Sequence, residues 1–473
     1  VSLLFVVALS RALPVIVPNQ LAIVHRHGAR TTLVSVNQSE VCSASAGGCG
    51  MLTNEGKDML EHLGTYLREH YRSTLFSESE TYNPQIVVSE STMMPRTMQS
   101  ATSVLYGLFR NSSTTMGEVG DDVLPVIHTK PLSELKALLV WNGNPSVVFW
   151  SDAVVGNMTQ MLSSFVSKKF SNDLLAAIGS ETGLGLECNV SLGPNHFVPF
   201  TCALDAQDVV TSYVSEFGLR AATETFPLAM SHYAELTSVL EAYNAYCMWE
   251  YDDKIDDGEF QRAMGTLGFE LAMKIINGAA TELAPVPLPQ PPSVSGEYPI
   301  RLHHFSGHDT TLMPLWMTLG NYSLLNPLFA ATMLFEFYNV SNASDPVTHS
   351  NRSWTTYVVA RFGQPGQLPD NHTFEFEPYT LYCTSPAGDV YTSSPLPFLA
   401  NRSEATLEVA MGCPLDDWAR FISQRGPTVA NGECYALPRL LELFGCDPSL
   451  SDSSDSLSEA CLTLRQSCGA PAC

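Results

Sequence analysis

Two short segments of the chain combine residue types that suit phosphate chemistry. The segment Arg26–Arg30 reads Arg-His-Gly-Ala-Arg, so that one imidazole lies between two guanidiniums, next to a glycine that permits close backbone approach. Guanidiniums donate paired hydrogen bonds to phosphate oxygens, and an imidazole is a competent nucleophile when one ring nitrogen is free. The second segment, His308-Asp309, offers a hydrogen-bond donor and a carboxylic acid that can protonate a departing alkoxide.

Both segments follow short apolar runs typical of buried strands. Gln20–His25 precedes the first segment, Ile300–Phe305 precedes the second, and a third run, Ile86–Ser89, lies between them. Amphipathic helices are predicted from Thr53 to Tyr71, with Thr53 as N-cap, and after the third run, with an inner face that includes Met98. This order favours an α/β fold with a mostly parallel sheet, whose C-terminal strand edges converge on one crevice.

The rest of the chain divides by composition. The middle lacks strand patterns but has helical stretches at Asp152–Lys169 and Phe226–Tyr251, which indicates a helical cap inserted into the α/β core. The start, Val1–Ala8, is typical of the apolar half of a signal peptide that begins within the signal. We therefore predict a signal-peptide remnant at 1–10, a catalytic core at 15–130 and 256–440, a helical cap at 130–255, and a Cys/Ser-rich tail at 441–473.

Several motifs resemble those of the histidine acid phosphatases, nearest the prostatic and lysosomal type. Residues 26–31 resemble the RHGxR signature of that family, and residues 306–312 resemble its HDTT motif. Residues 52–68 are similar to the family's first helix, residues 91–101 to its second arginine segment, and residues 329–338 to the stretch after the acid loop. The resemblance covers about residues 18 to 340 in the family's order and is loose in the cap and the C-terminal part.

The resemblance implies a phosphoglycerate-mutase-like α/β core flanked by helices, with an inserted helical cap. It also implies a broad-specificity, metal-independent acid phosphatase that needs no cofactor. Arg96 is included among the predicted site residues because of the resemblance alone. The other site residues are also predicted from the chemistry of their side chains. The expected roles are His27 as the nucleophile that forms a phosphohistidine, Asp309 as proton donor to the leaving group and later as base for water, and Arg26, Arg30, Arg96 and His308 as the phosphate pocket.

The sequence departs from the family pattern in a few places. Thr32 stands where the family often has proline, and Pro95 stands where it often has aspartate, just before the later arginine. Residues 39–50 look like a loop insertion near the site. A disulfide between Cys42 and Cys49 could close this loop, and the sequence favours neither its presence nor its absence.

Other readings remain open at this stage. A phytase or inositol polyphosphate phosphatase is the nearest rival within the superfamily. An idle surface glycoprotein that keeps the fold for binding is the rival from another class. His303 and His304 could form a metal pair, although histidines satisfied within a strand are favoured, and Trp141 and Trp150 could line a substrate mouth.

The net charge and the cysteine content limit the classes of partner and the cellular compartments that we expect for this protein. The chain carries 24 basic and 48 acidic residues and a net charge of −24, which argues against nucleic-acid and anionic-membrane partners. Twelve cysteines without a CxxC pair favour disulfides, and ten N-x-S/T sequons favour N-linked glycans. We therefore expect a secretory protein that is secreted, on the cell surface, or in the endosomal or lysosomal lumen. A homodimer and a membrane anchor beyond Cys473 stay open.

Overall fold

A computed structural model of the chain describes a large part of the sequence from Ile16 to Cys434. The residues that it describes are 16–34, 36, 48–76, 82–110, 125–130, 138, 155–184, 188, 198–245, 268–280, 299–321, 323–324, 326–341, 354–366, 372–396, 410–426, 429–430 and 433–434. The predictions for residues 1–10, 441–473, Cys42, Trp141 and Trp150 lie outside these residues.

The described strands are β1 (Ile16–Arg26), β2 (Val87–Ser91), β3 (Leu302–Gly307), β4 (Thr332–Ser341), β5 (Trp354–Pro365), β6 (Phe374–Tyr379), β7 (Tyr382–Thr384), β8 (Val390–Thr392), β9 (Ser394–Pro395), β10 (Met411–Pro414), β11 (Val429–Ala430) and β12 (Glu433–Cys434). The described helices are α1 (Asn54–Leu75), α2 (Pro95–Phe109), α3 (Val155–Lys169), α4 (Asn172–Thr182), α5 (Pro199–Thr225), α6 (Pro227–Ser231), α7 (Tyr233–Ala245), α8 (Phe269–Ala280), α9 (Asp309–Thr318) and α10 (Leu415–Ser423).

The central sheet places the three predicted strands side by side. Its order is β2-β3-β1-β4-β5-β10-β9, with β6 also paired to β5. Strand β3 is parallel to both β1 and β2, and the sheet continues from β1 to β4 and β5 through antiparallel pairs. The α/β class with helices on both faces is confirmed, and the strands that carry the site form its parallel part.

Alternating side chains of β1 fill two cores, one on each face of the sheet. Leu21 and Ile23 pack with α1 and α2, whereas Ala22 and Val24 pack with α8, α9 and α10. This alternation is the period of two that a strand buried on both faces requires. The run of apolar residues therefore fixes β1 rigidly just before the Arg26–Arg30 segment.

Helices α1 and α2 begin close to the site. Thr53 caps α1 as predicted, because its hydroxyl accepts a hydrogen bond from the Gly56 N–H at 3.1 Å. In α2, Ala101 and Leu105 are buried, but Met98 is only half-buried and lies at the edge of the inner face. The prediction for Met98 was therefore wrong, because Thr97 and Ser100 occupy the buried positions of that turn.

The helices α3 to α7, which we call the cap helices, pack around a hydrophobic cluster of their own. The disulfide Cys188–Cys202 ties the start of α5 to the segment after α4. The stretch Phe226–Tyr251 was predicted to be helical, and its described part forms α6 and α7, which are separated at His232. The domain limits at 130 and 255 stay predictions.

Candidate active site

The parallel strands bring the three site loops to one edge of the sheet. Arg26 at the end of β1 is in register with Gly307 at the end of β3, and Ser91 of β2 is in register with Ser306. The backbone N–H of His27 donates to the Gly307 carbonyl at 3.0 Å, which joins the first loop to the third. Because parallel strands end on the same side, the residues after β1, β2 and β3 surround one pocket.

His27 lies at the bottom of this pocket, with 2% of its surface exposed. Its Nδ1 is 2.8 Å from the Gly28 carbonyl oxygen, which can only accept, so Nδ1 carries the hydrogen and the lone pair of Nε2 is left available. Burial, and then the charges of Arg26, His308, Arg96 and Arg30, lower the pKa of His27 well below its ordinary value. The imidazole is therefore neutral through the acidic range, as a nucleophile must be.

The segment Phe329-Ala330 supports His27 from the side. The Ala330 N–H donates to the His27 carbonyl at 3.0 Å, and Ala330 has a φ of 59°, a left-handed conformation that is uncommon for alanine. The Phe329 ring lies 5.7 Å from the His27 ring and 4.4 Å from the Arg26 guanidinium carbon. A guanidinium at this distance over a ring gains a cation–π contact. The motif had matched by resemblance, but it carried no role in the sequence reasoning.

Arg26 and Arg30 flank the imidazole, and each is held by specific acceptors. Arg26 donates through Nη1 to the Pro327 carbonyl at 2.5 Å and pairs through Nη2 with an oxygen of Asp309 at 2.8 Å. Arg30 pairs through Nη2 with Asp208 at 2.7 Å. Both side chains are almost fully buried.

Arg96, at the second position of α2, completes the set of guanidiniums. Its Nη1 is 3.4 Å from the Gly50 carbonyl oxygen, and burial followed by the charge of Arg30 lowers its pKa to about 10. The Nε atoms of Arg26, Arg30 and Arg96 are all buried, and none has a hydrogen-bond partner among the described residues. Buried donors without acceptors are costly, and a bound oxyanion would satisfy them.

His308 also faces the pocket, but its ring is engaged in the ligand-free state. Its Nε2 lies 3.0 Å from the Thr92 hydroxyl, which in turn lies 2.6 Å from the Thr97 hydroxyl. The Thr97 hydroxyl donates to backbone carbonyls at 2.9 and 3.1 Å, so it accepts from Thr92, and Thr92 accepts from the N–H of His308. Burial, and then Arg96, lower the pKa of His308 to about 3, so the ring is neutral. Sequence reasoning assigned no role to Thr92.

Asp309, the first residue of α9, lies opposite Arg26 at the pocket wall. One carboxylate oxygen is paired with Arg26, and the other accepts the Thr310 N–H at 2.8 Å. Its side chain remains 34% exposed, so the carboxylate is open to a ligand and to solvent. Burial alone raises the pKa of Asp309, but Arg26 and then His308 outweigh it and lower the pKa below its ordinary value.

The two strand histidines do not form a metal pair. His304 points to one face of β3, where its Nε2 lies 2.8 Å from the Nε2 of His25 and its Nδ1 lies 2.9 Å from the Ser89 hydroxyl. His303 points to the opposite face, since consecutive strand residues alternate, and it packs against Gly278. The favoured interpretation, histidines satisfied within a strand, fits His304, whereas the buried Nε2 of His303 has no hydrogen-bond partner among the described residues.

Sequence reasoning missed Asp208, which the cap helix α5 places beside Arg30. No motif surrounds it, and the distance of 178 residues between the two partners gives no sequence signal. Cys49, in the loop that follows Arg30, is disulfide-bonded, and the prediction of a bridge to Cys42 stays open because Cys42 lies outside the described residues.

Comparison with known proteins shows which proteins the chain is similar to. Residues 19–137 match the model of the histidine phosphatase superfamily (branch 2). The testicular acid phosphatase of Mus musculus is 26% identical over 367 residues, which cover 76% of each chain. The prostatic acid phosphatase of Homo sapiens is 26% identical over 325 residues, or 67% of this chain and 72% of that protein.

Among solved structures, a phytase from Klebsiella sp ASR1 has a TM-score of 0.49 and 14% identity, covering 88% of this chain and 99% of that one. The family match spans β1, α1, β2 and α2, the elements that carry His27 and its three arginines, and the acid phosphatases match over most of the chain. Residues 19–137 thus match the histidine phosphatase superfamily, branch 2, and about two thirds or more of the chain is similar to acid phosphatases.

Proposed function

We propose that the chain hydrolyses phosphate monoesters at acidic pH through a phosphohistidine on His27. The observation that carries the proposal is the state of this side chain. Its hydrogen is on Nδ1, its Nε2 lone pair is available, and burial, together with the charges of its neighbours, lowers its pKa and keeps it neutral where ordinary histidines are protonated. A neutral, oriented imidazole among three guanidiniums is suited to attack phosphorus and to little else.

The three arginines would bind the phosphoryl group. Arg26, Arg30 and Arg96 each offer a buried Nε–H without a partner among the described residues, so that a phosphate removes three desolvation penalties at once. Phosphoryl transfer requires mainly positioning and neutralisation of charge on the equatorial oxygens. Loss of one such preorganised donor costs about 10²–10³ in rate.

The transfer would occur in two displacements at phosphorus. In the first, Nε2 of His27 forms a bond to phosphorus while the bond to the ester oxygen breaks, and Asp309 gives its proton to the leaving alkoxide. In the second, Asp309 accepts a proton from water, the water oxygen bonds to phosphorus, and the N–P bond breaks. Inorganic phosphate leaves, and His27 returns to its neutral form with the hydrogen on Nδ1.

Asp309 must gain a proton before the first displacement. In the ligand-free state Arg26 holds its pKa low, so the carboxylate is ionised. A bound phosphate shares Arg26 and adds negative charge close to the carboxylate, and both effects raise the pKa of an acid. Substrate binding is therefore the event that would turn Asp309 into a proton donor, and acidic pH favours it.

Monophosphates with an apolar leaving group fit the surroundings of the pocket. Leu33, after the first loop, and Met93, after Thr92, are 53% and 47% exposed. The net charge of −24 disfavours a polyanion, which would need cations beyond those that hold the reacting phosphate. These features favour a general monoesterase over an inositol polyphosphate phosphatase.

A secretory location fits the proposed activity. The described residues contain the disulfides Cys188–Cys202 and Cys383–Cys413, which form in oxidising compartments. N-linked glycans are proposed at exposed sequons, but Asn339 is excluded because it is 1% exposed and accepts a hydrogen bond from Thr356 within the sheet. No helix among the described residues has the length and apolarity to cross a membrane.

Hydrolysis of a generic aryl phosphate between pH 4 and 8, with EDTA present, tests the proposal. The unmodified protein is compared with His27→Ala and with His70→Ala, a control that removes an exposed histidine on α1. Rapid quenching with radiolabelled substrate then tests for a phosphorylated protein whose label is stable to alkali and labile to acid, as phosphohistidine is.

We expect acid hydrolysis that survives EDTA, persists in His70→Ala and is lost with the label in His27→Ala. An inert unmodified protein would favour the binding glycoprotein. Activity that persists in His27→Ala would show that another group is the nucleophile.

A further inference from the structure

A single carboxylate of the cap helices, that of Asp208, accepts hydrogen bonds from three donors of the first site loop. One oxygen of Asp208 lies 2.7 Å from Nη2 of Arg30. The other lies 2.7 Å from the Thr32 hydroxyl and 2.7 Å from the Leu33 N–H. The side chain is 20% exposed, and it is supplied by α5, a helix far from the loop in sequence.

A negative charge beside an anion pocket needs a reason, because it opposes binding of the anion. Burial alone raises the pKa of Asp208, but Arg30 and the three hydrogen bonds outweigh it, so the pKa lies below its ordinary value. Asp208 therefore stays ionised at the acidic pH where the protein is proposed to work. Its repulsion of phosphate must be offset by something that it provides.

We propose that Asp208 is a positioning residue, which orients Arg30 and the loop from Thr31 to Leu33 so that Arg30 can bind the phosphoryl group. The proposal rests on the proposed function. It makes a cap helix part of the phosphate pocket, because Asp208 acts on the phosphoryl group through Arg30.

The hydrogen bonds of Arg30 show how the orientation works. Nη1 donates to the carbonyl of Thr31 at 3.0 Å and Nη2 donates to Asp208, so two fixed acceptors define the plane of the guanidinium. The Nε–H has no partner among the described residues and is left for the phosphate. Without Asp208 one acceptor is gone, and the guanidinium can rotate about its last bonds and turn that donor away.

Asp208 also sets the charge of the pocket. Three guanidiniums face two carboxylates, Asp208 and Asp309, while His27 and His308 are neutral. The ligand-free pocket thus carries one net positive charge, which matches a phosphate monoanion. Neutralising Asp208 would leave two positive charges and favour the dianion, whose share grows above about pH 6.

Helix α5 holds Asp208 in place through a second contact with the core. Glu216, two turns later, accepts a hydrogen bond from the hydroxyl of Thr53 at the N-cap of α1, and the backbone N–H of Thr53 donates to the Ala29 carbonyl at 3.0 Å. This contact fixes the helix against the core but does not reach Arg30. Glu216→Gln is therefore a matched control for docking of the helix.

A double-mutant cycle tests the proposal. We would measure kcat and KM for an aryl phosphate in the unmodified protein, Asp208→Asn, Arg30→Ala and the double variant, each over pH 4 to 8. Because a small misplacement of a catalytic group can cost about 10²-fold, we expect Asp208→Asn to lower kcat by about 10- to 100-fold with little change in KM. In the Arg30→Ala background the same change should alter kcat less than about twofold, since coupled residues do not add.

Three further readouts separate positioning from a structural role. Asp208→Glu, which keeps the charge, should recover part of the lost kcat. The alkaline limb of the pH profile of Asp208→Asn should move to higher pH, whereas that of Glu216→Gln should not move. If Asp208→Asn does not fold, Thr32→Val removes one donor to the carboxylate, and its smaller loss in kcat should likewise vanish when Arg30 is absent.

Equal losses in both backgrounds would overturn the proposal, as would a Glu216→Gln variant that matches Asp208→Asn in kcat. Hydrolysis that is lost in His27→Ala tests the proposed function separately, so failure of the cycle in an active protein refutes only the role of Asp208.

Discussion

Replacement of Asp309 by asparagine separates its two electrostatic roles. The amide keeps the shape of the side chain but can neither give a proton to the leaving group nor pair as an anion with Arg26, whose Nη2 lies 2.8 Å away. Loss of a general acid costs about 10²–10⁴ in rate. The loss should be largest for an alkyl ester, because a strongly basic alkoxide needs the proton more than a phenolate does.

Binding of phosphate should change in the opposite direction. The carboxylate of Asp309 competes with phosphate for Arg26 and repels it across the pocket. At about 6 Å and an effective dielectric constant of about 20, this repulsion amounts to about 3 kcal/mol. Because the side chain is 34% exposed, solvent screening reduces it to about 1 kcal/mol, or roughly fivefold in affinity.

The assay is steady-state hydrolysis of a series of aryl and alkyl phosphates, with inorganic phosphate as a competitive inhibitor. We expect kcat of Asp309→Asn to fall more steeply as the leaving group becomes more basic, while phosphate inhibits more tightly than in the unmodified protein. An equal loss of kcat for all leaving groups would refute the role as proton donor. Weaker inhibition by phosphate would refute the view that the carboxylate competes for Arg26.

Three more predictions concern groups around the site. Thr92→Val removes the acceptor of the His308 N–H, and this hydrogen bond is worth about 1 kcal/mol. The substitution should therefore lower kcat/KM of aryl phosphate hydrolysis about fivefold. Unchanged kinetics would show that other contacts hold the His308 ring. His304 is buried with its pKa lowered by burial, so the unfolded chain binds its proton first and stability falls as pH drops below about 6.5. The measurement is the unfolding free energy, obtained by urea titration at several pH values. Below about pH 6.5, His304→Gln should reduce the slope of this free energy against pH by about 1.4 kcal/mol per pH unit, and an unaltered slope would contradict this. Gly28→Ala would place a Cβ 2.1 Å from the Gly56 carbonyl oxygen, so we expect loss of both activity and thermal stability, and wild-type behaviour would mean that α1 can yield.

The sequence predicted the site well where the residues that carry chemistry directly follow the end of a strand. The runs before Arg26 and His308 predicted β1 and β3, and parallel pairing was enough to place both loops at one edge. Helix α1 and its Thr53 cap followed from spacing alone, because the apolar stripe and the N-cap are local features. The placement of His27 and Asp309 then required no knowledge of the remainder of the chain, whereas Arg96 was found only through the family resemblance.

The parts that sequence reasoning missed depend on long-range contacts. Asp208 reaches Arg30 only because α5 packs against the core, and no local pattern reports that packing. Thr92 was quoted as part of a motif, but its link between His308 and Thr97 depends on the register of β2 and β3. Met98 was wrongly predicted to lie on the buried face of α2. Beside the pocket that face is formed by the polar residues Thr97 and Ser100, so the expectation that buried helix positions are apolar fails there.

Burial and charge in the pocket explain how the proposed mechanism can operate at acidic pH although its nucleophile is a base. An ordinary histidine would be protonated and unreactive below about pH 6, but burial, and then the neighbouring guanidiniums, lower the pKa of His27 and keep it neutral there. The same guanidiniums are balanced by Asp208 and Asp309, so that the ligand-free pocket carries a single positive charge and accepts a phosphate monoanion. Below about pH 6 that monoanion is the dominant form of a phosphate ester. In the proposed mechanism, acidity therefore supplies the substrate in the charge state that the pocket matches, while burial and the neighbouring arginines keep the nucleophile unprotonated at the same pH.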